Sequence, residues 1–200
     1  ADQISPASGE TPCDWAELYN STAQTVNLSL CGLSDNVNWP RKWQFPQGTT
    51  ISPGEYKVIR LDKSSTPGSD GNSLHASFAV ARAGGETMTF SDATGRVLDK
   101  LYLPELQTDV SYGRSLGQDG FFYYDAPTPG KENGTGFLGY AEKPAFSMSG
   151  GLYEGTITVS VTVPYGTNVR YTTDGSIPTI DNGEAYTAPF SISNTVVLRA

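Results

Sequence analysis

Hydrophobic and polar residues alternate with a period of two in many short segments of this chain. The clearest are 15–19 (WAELY), 55–61 (EYKVIRL) and 157–163 (ITVSVTV). Because successive side chains of a strand point to opposite faces of a sheet, this alternation predicts half-buried β-strands. Turn signals rich in Gly, Pro, Asn and Asp separate the segments about every eight to twelve residues, which is typical of β-sandwiches. The pattern predicts an all-β protein.

Two runs of strands are predicted, one on each side of a glycine-rich stretch. Further strands are predicted over 26–28, 43–45, 74–80, 87–91, 96–103, 109–114 and 121–124, and then over 145–148, 155–163, 168–173 and 195–200. The stretch 134–143 lacks alternation and predicts a linker. We therefore expect two β-sandwich domains in tandem, over 1–133 and 144–200. The second is expected to be incomplete, because the chain stops inside or just after a strand.

The segment from Cys13 to Cys31 predicts a β-hairpin. Two alternating stretches, 15–19 and 26–28, flank the polar turn 20–22. In a hairpin centred on that turn, the two cysteines fall opposite each other to within about one residue. They are the only cysteines of the chain. This predicts a cross-strand disulfide between Cys13 and Cys31, with a pair of free buried thiols as the alternative.

Six motifs follow one another between residues 13 and 133. They read WAELYN, VNLSLCGLSD, PRKWQFPQGTTISPGEYKVI, LHASFAVARAGGETMTFSDATGRVLD, TDVSYGR and PTPGKEN. In this order they resemble the bacterial version of the lamin-tail domain. The resemblance implies an immunoglobulin-like β-sandwich in which Ala16 and Leu18 point inward and Glu17 points to solvent.

The second half carries KPAFSMSGGLYEGTITVSV, VRYTTDGSIPT, EAYTAPFSIS and TVVLRA. These motifs resemble the chitobiase/β-hexosaminidase C-terminal type of immunoglobulin-like module. In the enzymes that carry such modules, catalysis belongs to a separate barrel domain. The tandem order is similar to that of large bacterial surface or secreted proteins, many of which carry a spore-coat-H-like kinase domain further along. The resemblance therefore implies an extracellular or cell-surface location.

The net charge of the chain is −8, and an acidic surface repels polyanions. Nucleic acid is therefore not expected as a partner. No window has the apolar length of a membrane span, so no membrane insertion is expected of these residues. A lone pair of cysteines mildly favours an oxidising compartment.

Few residues offer catalytic chemistry. His75 is the single histidine, and it stands in a predicted strand without a nucleophile motif, so a structural role is expected. Paired carboxylates that could hydrolyse a glycoside are Asp14 with Glu17, or Asp174 with Asp181. These acids stand beside turns, where Asp commonly stabilises the backbone. We expect no catalytic residue and no cofactor.

The nearest approach to a metal motif is Asp70-Gly71-Asn72, in the stretch 63–73, which is rich in Ser, Gly, Pro and Asp. The triplet lacks the alternating ligands and terminal acid of a calcium loop, so no metal site is predicted. The composition of the stretch itself predicts an exposed, mobile loop.

Aromatic residues are the remaining candidates for a binding site. The set comprises Trp39, Tyr112 and the run 121–124 (FFYY), of which alternation predicts that two residues lie in the core. Trp39 precedes Pro40 in a polar loop and is expected to be exposed. Trp39, Tyr112 and Tyr123 are the predicted ligand-binding residues, with ordinary loop packing as the alternative for Trp39.

The leading hypothesis is a non-catalytic pair of modules that acts as scaffold, spacer or adhesion unit, with a protein or a cell-surface glycan as partner. One alternative is carbohydrate or cell-wall binding through exposed aromatics. The other is a module that positions a larger secreted kinase or hydrolase.

Overall fold

The computed structural model describes residues 11–64 and 73–200. These residues form β-strands, turns and irregular segments, so the predicted all-β class is confirmed. The chain divides into two compact units between Gly139 and Tyr140, inside the segment predicted to be a linker. Within the described ranges, we find no helix with the length and apolar character needed to cross a membrane.

The described part of the first unit contains eleven strands. They are β1 (Asp14–Tyr19), β2 (Val26–Asn27), β3 (Gly32–Ser34), β4 (Trp43–Gln44), β5 (Thr50–Ile51), β6 (Tyr56–Leu61), β7 (Leu74–His75), β8 (Thr87–Ser91), β9 (Val97–Tyr102), β10 (Ser111–Ser115) and β11 (Gln118–Tyr124). One sheet has the order β1-β6-β7 and another the order β4-β3-β8-β9. The pairs β2-β5 and β10-β11 form two-stranded ribbons.

One hydrophobic core joins the two larger sheets. Ile59 and Leu61 of β6 are buried in the same cluster as Leu33 of β3 and Met88 of β8. Phe45, just after β4, has no exposed surface. Alternate residues of each strand supply this core, because they share one face of the sheet. Ala16 and Leu18 of β1 pack against the cluster, as predicted.

The predicted hairpin between β1 and β2 is wrong. β1 pairs antiparallel with β6, so that Ala16 lies opposite Ile59, and β2 pairs with β5, so that Val26 lies opposite Ile51. The alternation of a strand identifies its buried face but carries no information about its partner. Here the partner that shares the core is distant in sequence.

Asn20 explains why the chain leaves β1 without folding back on it. Its side chain is 5% exposed. Its amide donates hydrogen bonds to the carbonyl oxygens of Gln24 at 2.8 Å and Ile51 at 3.0 Å, while its Oδ1 accepts from the Thr22 amide at 3.0 Å. Its backbone also exchanges hydrogen bonds with Gly54 and Glu55. This buried amide joins the 20–24 turn to the chain before β6.

The predicted disulfide is absent, since Cys13 and Cys31 are free thiols. Cys13 precedes β1 in one sheet, whereas Cys31 precedes β3 in the other. The prediction depended on the hairpin, which would have placed both residues on neighbouring strands. Burial raises the pKa of each thiol, so both are poorly reactive at neutral pH.

The second unit contains four strands in its described residues, β12 (Ile157–Val159), β13 (Arg170–Tyr171), β14 (Glu184–Ala185) and β15 (Phe190–Ile192). β12 pairs with β15 and β13 with β14, both antiparallel. The segments predicted as strands 145–148 and 195–200 contribute isolated bridges, such as Phe146 with Val161 and Thr172 with Arg199. Buried Val159, Val161 and Val169 supply its apolar centre.

Several strands of the first unit differ from expectation. β3 and β5 fall in segments that read as loop and turn. The strand predicted over 74–80 is reduced to β7, although Ala76 and Phe78 are buried. In the segment predicted to be a mobile loop, residues 65–72 lie outside the described ranges.

Candidate functional site

Trp39 lies in the loop between β3 and β4, and 59% of its surface is exposed, as predicted. Its amide donates to the Asn36 carbonyl at 3.0 Å, and its carbonyl accepts from the Lys42 amide at 3.1 Å. The Asn36 side chain accepts from the Asn38 amide at 2.9 Å. Consecutive hydrogen-bonded turns thus hold an exposed ring on an ordered loop.

A polar cleft of about 300 Å³ opens beside this loop. Its walls come from two places, the loop that contains Trp39 and the chain around the start of β8. The lining residues are Asp35, Asn36, Val37, Lys42, Gly85, Glu86 and Thr87. Because β3 and β8 are antiparallel with Ser34 opposite Thr89, residues that follow β3 lie beside residues that precede β8.

Asp35 and Lys42 form an ion pair in the wall of the cleft. Lys42 Nζ lies 2.8 Å from both carboxylate oxygens of Asp35, and the Asp35 side chain is only 10% exposed. The ammonium group also lies 5.2 Å from the centre of the Phe78 ring, a cation–π contact. The ion pair with Asp35 and the contact with the Phe78 ring together fix the position of the Lys42 ammonium group.

Tyr112 and Tyr123 are brought together by the β10-β11 ribbon. They lie directly opposite each other, with ring centres 4.8 Å apart. Tyr112 also packs on Phe121 at 5.8 Å, and Tyr123 packs on Phe137 at 5.5 Å. Phe137 extends the ribbon, because its backbone exchanges two hydrogen bonds with Tyr123. These four rings, Phe121, Tyr112, Tyr123 and Phe137, are called the aromatic row below.

The expectation that two residues of the run 121–124 lie in the core is only half right. Tyr124 is 2% exposed, whereas Phe121, Phe122 and Tyr123 are half-buried. Among the residues that the structure describes, the ribbon consists of two strands, to which a bridge from Tyr123 adds Phe137.

A second cavity, of about 810 Å³, lies in the first unit. Its lining includes Tyr112 and Arg114 of β10, Glu17 of β1 and Asp99 of β9. Arg114 donates two hydrogen bonds to Asp99, at 2.7 and 2.8 Å, and stacks on the Phe121 ring at 4.7 Å. These contacts tie the β10-β11 ribbon to the edge strand β9.

The three predicted ligand-binding residues do not form one site. Tyr112 and Tyr123 belong to the aromatic row, whereas Trp39 stands on the loop between β3 and β4. The polar cleft is lined by other residues of the Trp39 loop, while Tyr112 lines the cavity of about 810 Å³.

The carboxylate pairs that were considered for catalysis are separated or occupied. Asp14 and Glu17 are three residues apart on β1, so they point to opposite faces. Glu17 is half-buried rather than solvent-facing, because its Oε2 accepts a 2.6 Å hydrogen bond from the Gly130 amide. Burial raises the pKa of Glu17. Asp174 accepts from the Ser176 hydroxyl at 2.6 Å, which lowers the pKa of Asp174, while Asp181 is exposed.

His75 stands in β7, and its Nδ1 lies 2.7 Å from Asp62 Oδ2. Arg60 lies 3.4 Å from the same oxygen and donates to the Thr11 carbonyl at 2.6 Å. Burial raises the pKa of Asp62, but hydrogen bonds from His75 and Ser64 outweigh burial and hold it below its usual range. These contacts connect β6 with β7 and with the chain before β1.

Over residues 11–64 and 73–200 we find no group of three or more His, Cys, Asp or Glu side chains that could hold a metal ion. The Asp70-Gly71-Asn72 triplet lies outside these ranges.

A family model described as Lamin Tail Domain matches residues 2–104, just over half of the chain. The chain belongs to the lamin tail domain family. A second family model, described as Chitobiase/beta-hexosaminidase C-terminal domain, matches residues 148–200. Searches of curated proteins and of solved structures returned no match. The chain is thus a lamin tail domain followed by a chitobiase C-terminal-like domain, two β-sandwich accessory domains.

The lamin tail match contains Trp39 and the whole polar cleft, but it ends before the β10-β11 ribbon. It begins at residue 2 and so takes in residues before Cys13. Sequence reasoning overlooked Asn20, Asp35, Lys42 and Glu86. In the sequence, the opposite charges of Asp35 and Lys42 at the two ends of the Trp39 loop were the signal that could have indicated an ion pair there.

Proposed function

We propose that these two domains are non-catalytic modules of a bacterial cell-surface or secreted protein, where they act as scaffold, spacer or adhesion unit. The tandem of two accessory-domain matches carries this proposal. Each such module has its own hydrophobic core, and its surface can present contacts to partners.

Side-chain contacts support the proposal, because carboxylates of the chain form hydrogen bonds that stabilise turns. Asp92 accepts hydrogen bonds from the Thr94 hydroxyl at 2.6 Å and the Arg96 amide at 3.1 Å. The Thr94 hydroxyl, followed by the other donors, lowers the pKa of Asp92 to about 2. Asp174 has the same arrangement with Ser176. These carboxylates stay ionised and stabilise turns, which is a structural use of the charge.

Localisation and turnover assays test this function. An antibody raised against the 200-residue chain should detect the parent protein in the cell-surface or culture fraction of its source bacterium. The purified chain should show no turnover of glycosides, phosphoesters or peptides. Confinement to the cytoplasm, or a turnover abolished by one Asp or Glu substitution, would overturn the proposal.

Carbohydrate or cell-wall binding is the second candidate function. It is favoured by Trp39, whose exposed ring stands on a hydrogen-bonded loop. A pyranose ring stacks well on such a surface, because its axial C–H groups meet the aromatic face.

Pull-down on insoluble cell-wall polysaccharides tests this candidate. The chain should be retained, and Trp39→Ala should weaken retention by about tenfold, the loss expected of one anchor residue. Retention on no polysaccharide would refute carbohydrate binding and leave the scaffold proposal standing.

A further inference from the structure

We infer that the cavity of about 810 Å³ in the first unit is a slot for one β-strand of a partner protein, which pairs with β1 on one side and with β10 on the other. The partner segment is extended, and its apolar side chains alternate with basic ones. The inference goes beyond the scaffold and carbohydrate functions proposed above and depends on neither.

The cavity runs along the edges of two strands. Its lining includes every residue of β1 (Asp14–Tyr19) and every residue of β10 (Ser111–Ser115). Because successive side chains of a strand point to opposite faces, a cavity on one face meets alternate residues, whereas a cavity along the edge meets all of them. β1 is an end strand of its sheet, and among the described strands β10 pairs with β11 alone. The two open edges therefore border the same space.

The open edge of β1 carries backbone groups without a partner strand. Asn20 donates its backbone N–H to the Glu55 carbonyl at 3.1 Å, on the side of β6. Since paired and unpaired residues alternate in an antiparallel ladder, the N–H and C=O groups of Trp15, Glu17 and Tyr19 point away from β6. Within residues 11–64 and 73–200, these three residues make no backbone hydrogen bond to a further strand. They form one wall of donors and acceptors.

The edge of β10 forms the opposite wall. Tyr123 exchanges two backbone hydrogen bonds of 2.9 Å with Phe137, so Tyr123 and Tyr112 are a pair without mutual hydrogen bonds. Tyr112 consequently turns its N–H and C=O away from β11. Two residues further along, the Arg114 carbonyl accepts from the Asn133 side chain at 3.0 Å.

The segment after β11 connects the two walls. The Gly130 amide donates to the Glu17 side chain of β1, and the Asn133 side chain donates to Arg114 of β10. β1 and β10 are therefore linked through this segment and not by direct pairing. A six-residue strand inside a sandwich occupies about 20 Å by 4.8 Å by 10 Å, roughly 950 Å³. The cavity, at about 810 Å³, is close to this size.

The lining of the slot selects the side chains of the partner strand. Ala16, Leu18 and Leu101 line it and pack against the core, yet they are only half-buried. Apolar side chains on one face of an inserted strand would cover them. Side chains on its other face would stand beside Glu17, and the chain carries a net charge of −8. Basic residues fit there better than acidic ones.

A separate polypeptide is the occupant that the described residues favour. The chain leads into β1 from Thr11, whose carbonyl accepts from Arg60 of β6 at 2.6 Å. β6 is the neighbour of β1 on the edge opposite the slot. The residues that directly precede β1 are thus held at its paired side.

Amide hydrogen exchange of the full chain, followed by NMR, tests the inference. The probes are an octapeptide in which Val alternates with Lys and one in which Val alternates with Glu. The Val-Lys peptide should slow exchange at Trp15, Glu17 and Tyr19 by about tenfold or more, and likewise at Tyr112. The amides of Ala16 and Leu18 already pair with β6 and should exchange slowly throughout. The Val-Glu peptide should bind about tenfold more weakly.

Two variants isolate one backbone donor of the slot. Tyr112→Pro removes the N–H that faces the slot, and a proline is tolerated where the N–H lies outside the ladder. Tyr112→Ala is the matched control, because it removes the same ring and keeps the N–H. Tyr112→Pro should bind the Val-Lys peptide about tenfold more weakly than Tyr112→Ala. Melting temperatures identify a variant that fails to fold, in which case the exchange pattern of the unchanged chain decides.

Every other outcome overturns the inference. Slow exchange at Trp15 and Glu17 in the free chain at low protein concentration would show that the chain fills its own slot. Protection that grows with protein concentration in the absence of peptide would assign the slot to a second copy. Equal or tighter binding of the Val-Glu peptide would refute a basic partner, and rapid exchange with both peptides would refute strand binding. The scaffold and carbohydrate proposals would be unaffected by any of these results.

Discussion

The Trp39 loop and the aromatic row hold aromatic rings by different means. Trp39 owes its position to backbone hydrogen bonds, and 59% of its surface stays exposed. Tyr112 and Tyr123 are half-buried and owe their positions to neighbouring rings. A ring held by its backbone keeps a free face for a ligand, whereas a ring held by other rings stabilises the fold.

The rings of the two regions should contribute differently to the stability of the first unit. Aromatic pairs contribute about 0.5 to 1.5 kcal/mol beyond their burial, so removal of one ring of the row affects two pairs. Removal of the Trp39 side chain leaves the turn hydrogen bonds in place, because they involve only the backbone of Trp39. Removal of a ring should therefore lower the free energy of unfolding more in the aromatic row than at Trp39.

Tyr123→Ala should destabilise the first unit by about 2 kcal/mol, since Tyr123 loses its contacts with both Tyr112 and Phe137. Trp39→Ala should change stability by less than about 0.5 kcal/mol. Chemical denaturation of both variants provides the measurement. Equal losses would show that Trp39 is packed and would remove the distinction between the two regions.

Asn36→Ala should destabilise the Trp39 loop by about 1 kcal/mol, because the Asn38 amide loses its 2.9 Å acceptor. Amide hydrogen exchange at Asn38 and Trp39 should accelerate. Asn38→Ala is the matched control, since it keeps the backbone donor. Unchanged amide exchange in Asn36→Ala would show that the hydrogen bond from the Asn38 amide to the Asn36 side chain does not hold the Trp39 loop in place.

Arg114→Met should cost at most about 1 kcal/mol, even though Arg114 and Asp99 form two hydrogen bonds. The two side chains are 57% and 48% exposed, so water and salt screen the pair. The loss should shrink at high salt and should be matched by Asp99→Asn. A larger, salt-independent loss would show that Arg114 acts through its contact with Phe121 instead.

Glu17→Gln should have the smallest effect, which should depend on pH. Burial raises the pKa of Glu17, so the folded state favours the neutral form and loses stability as pH rises through that pKa. The Gln variant should therefore match the unchanged chain near pH 4 and be slightly more stable at pH 7, by less than about 1 kcal/mol. Thermal melts across this range provide the measurement, and a variant less stable at pH 7 would contradict the sign.

Much of the fold could be predicted because alternation is a local property. β6, β8 and β9 lie where alternating residues between turn signals predicted them. Exposure of Trp39 followed from its polar neighbours and Pro40. Residues of short strands such as β3 and β5 could not be recognised, since so few residues show no period.

The functional surfaces were less predictable, because they depend on contacts between distant segments. Tyr112 and Tyr123 were named singly, and only the register of β10 on β11 shows that they touch. Likewise, Glu86 joins Asp35 and Lys42 only because β3 pairs with β8.

Composition, alternation and spaced motifs were enough to determine the all-β class and the two successive domains, since each is written in short stretches of sequence. Strand partners were decided by the tertiary structure. Burial of Ile59 beside Ala16 and the hydrogen bonds of Asn20 bring β1 to β6 rather than to β2. That choice left Cys13 and Cys31 unbridged. The same kind of long-range pairing placed Glu86 beside the residues that follow β3, because antiparallel pairing aligns segments that are far apart in the chain.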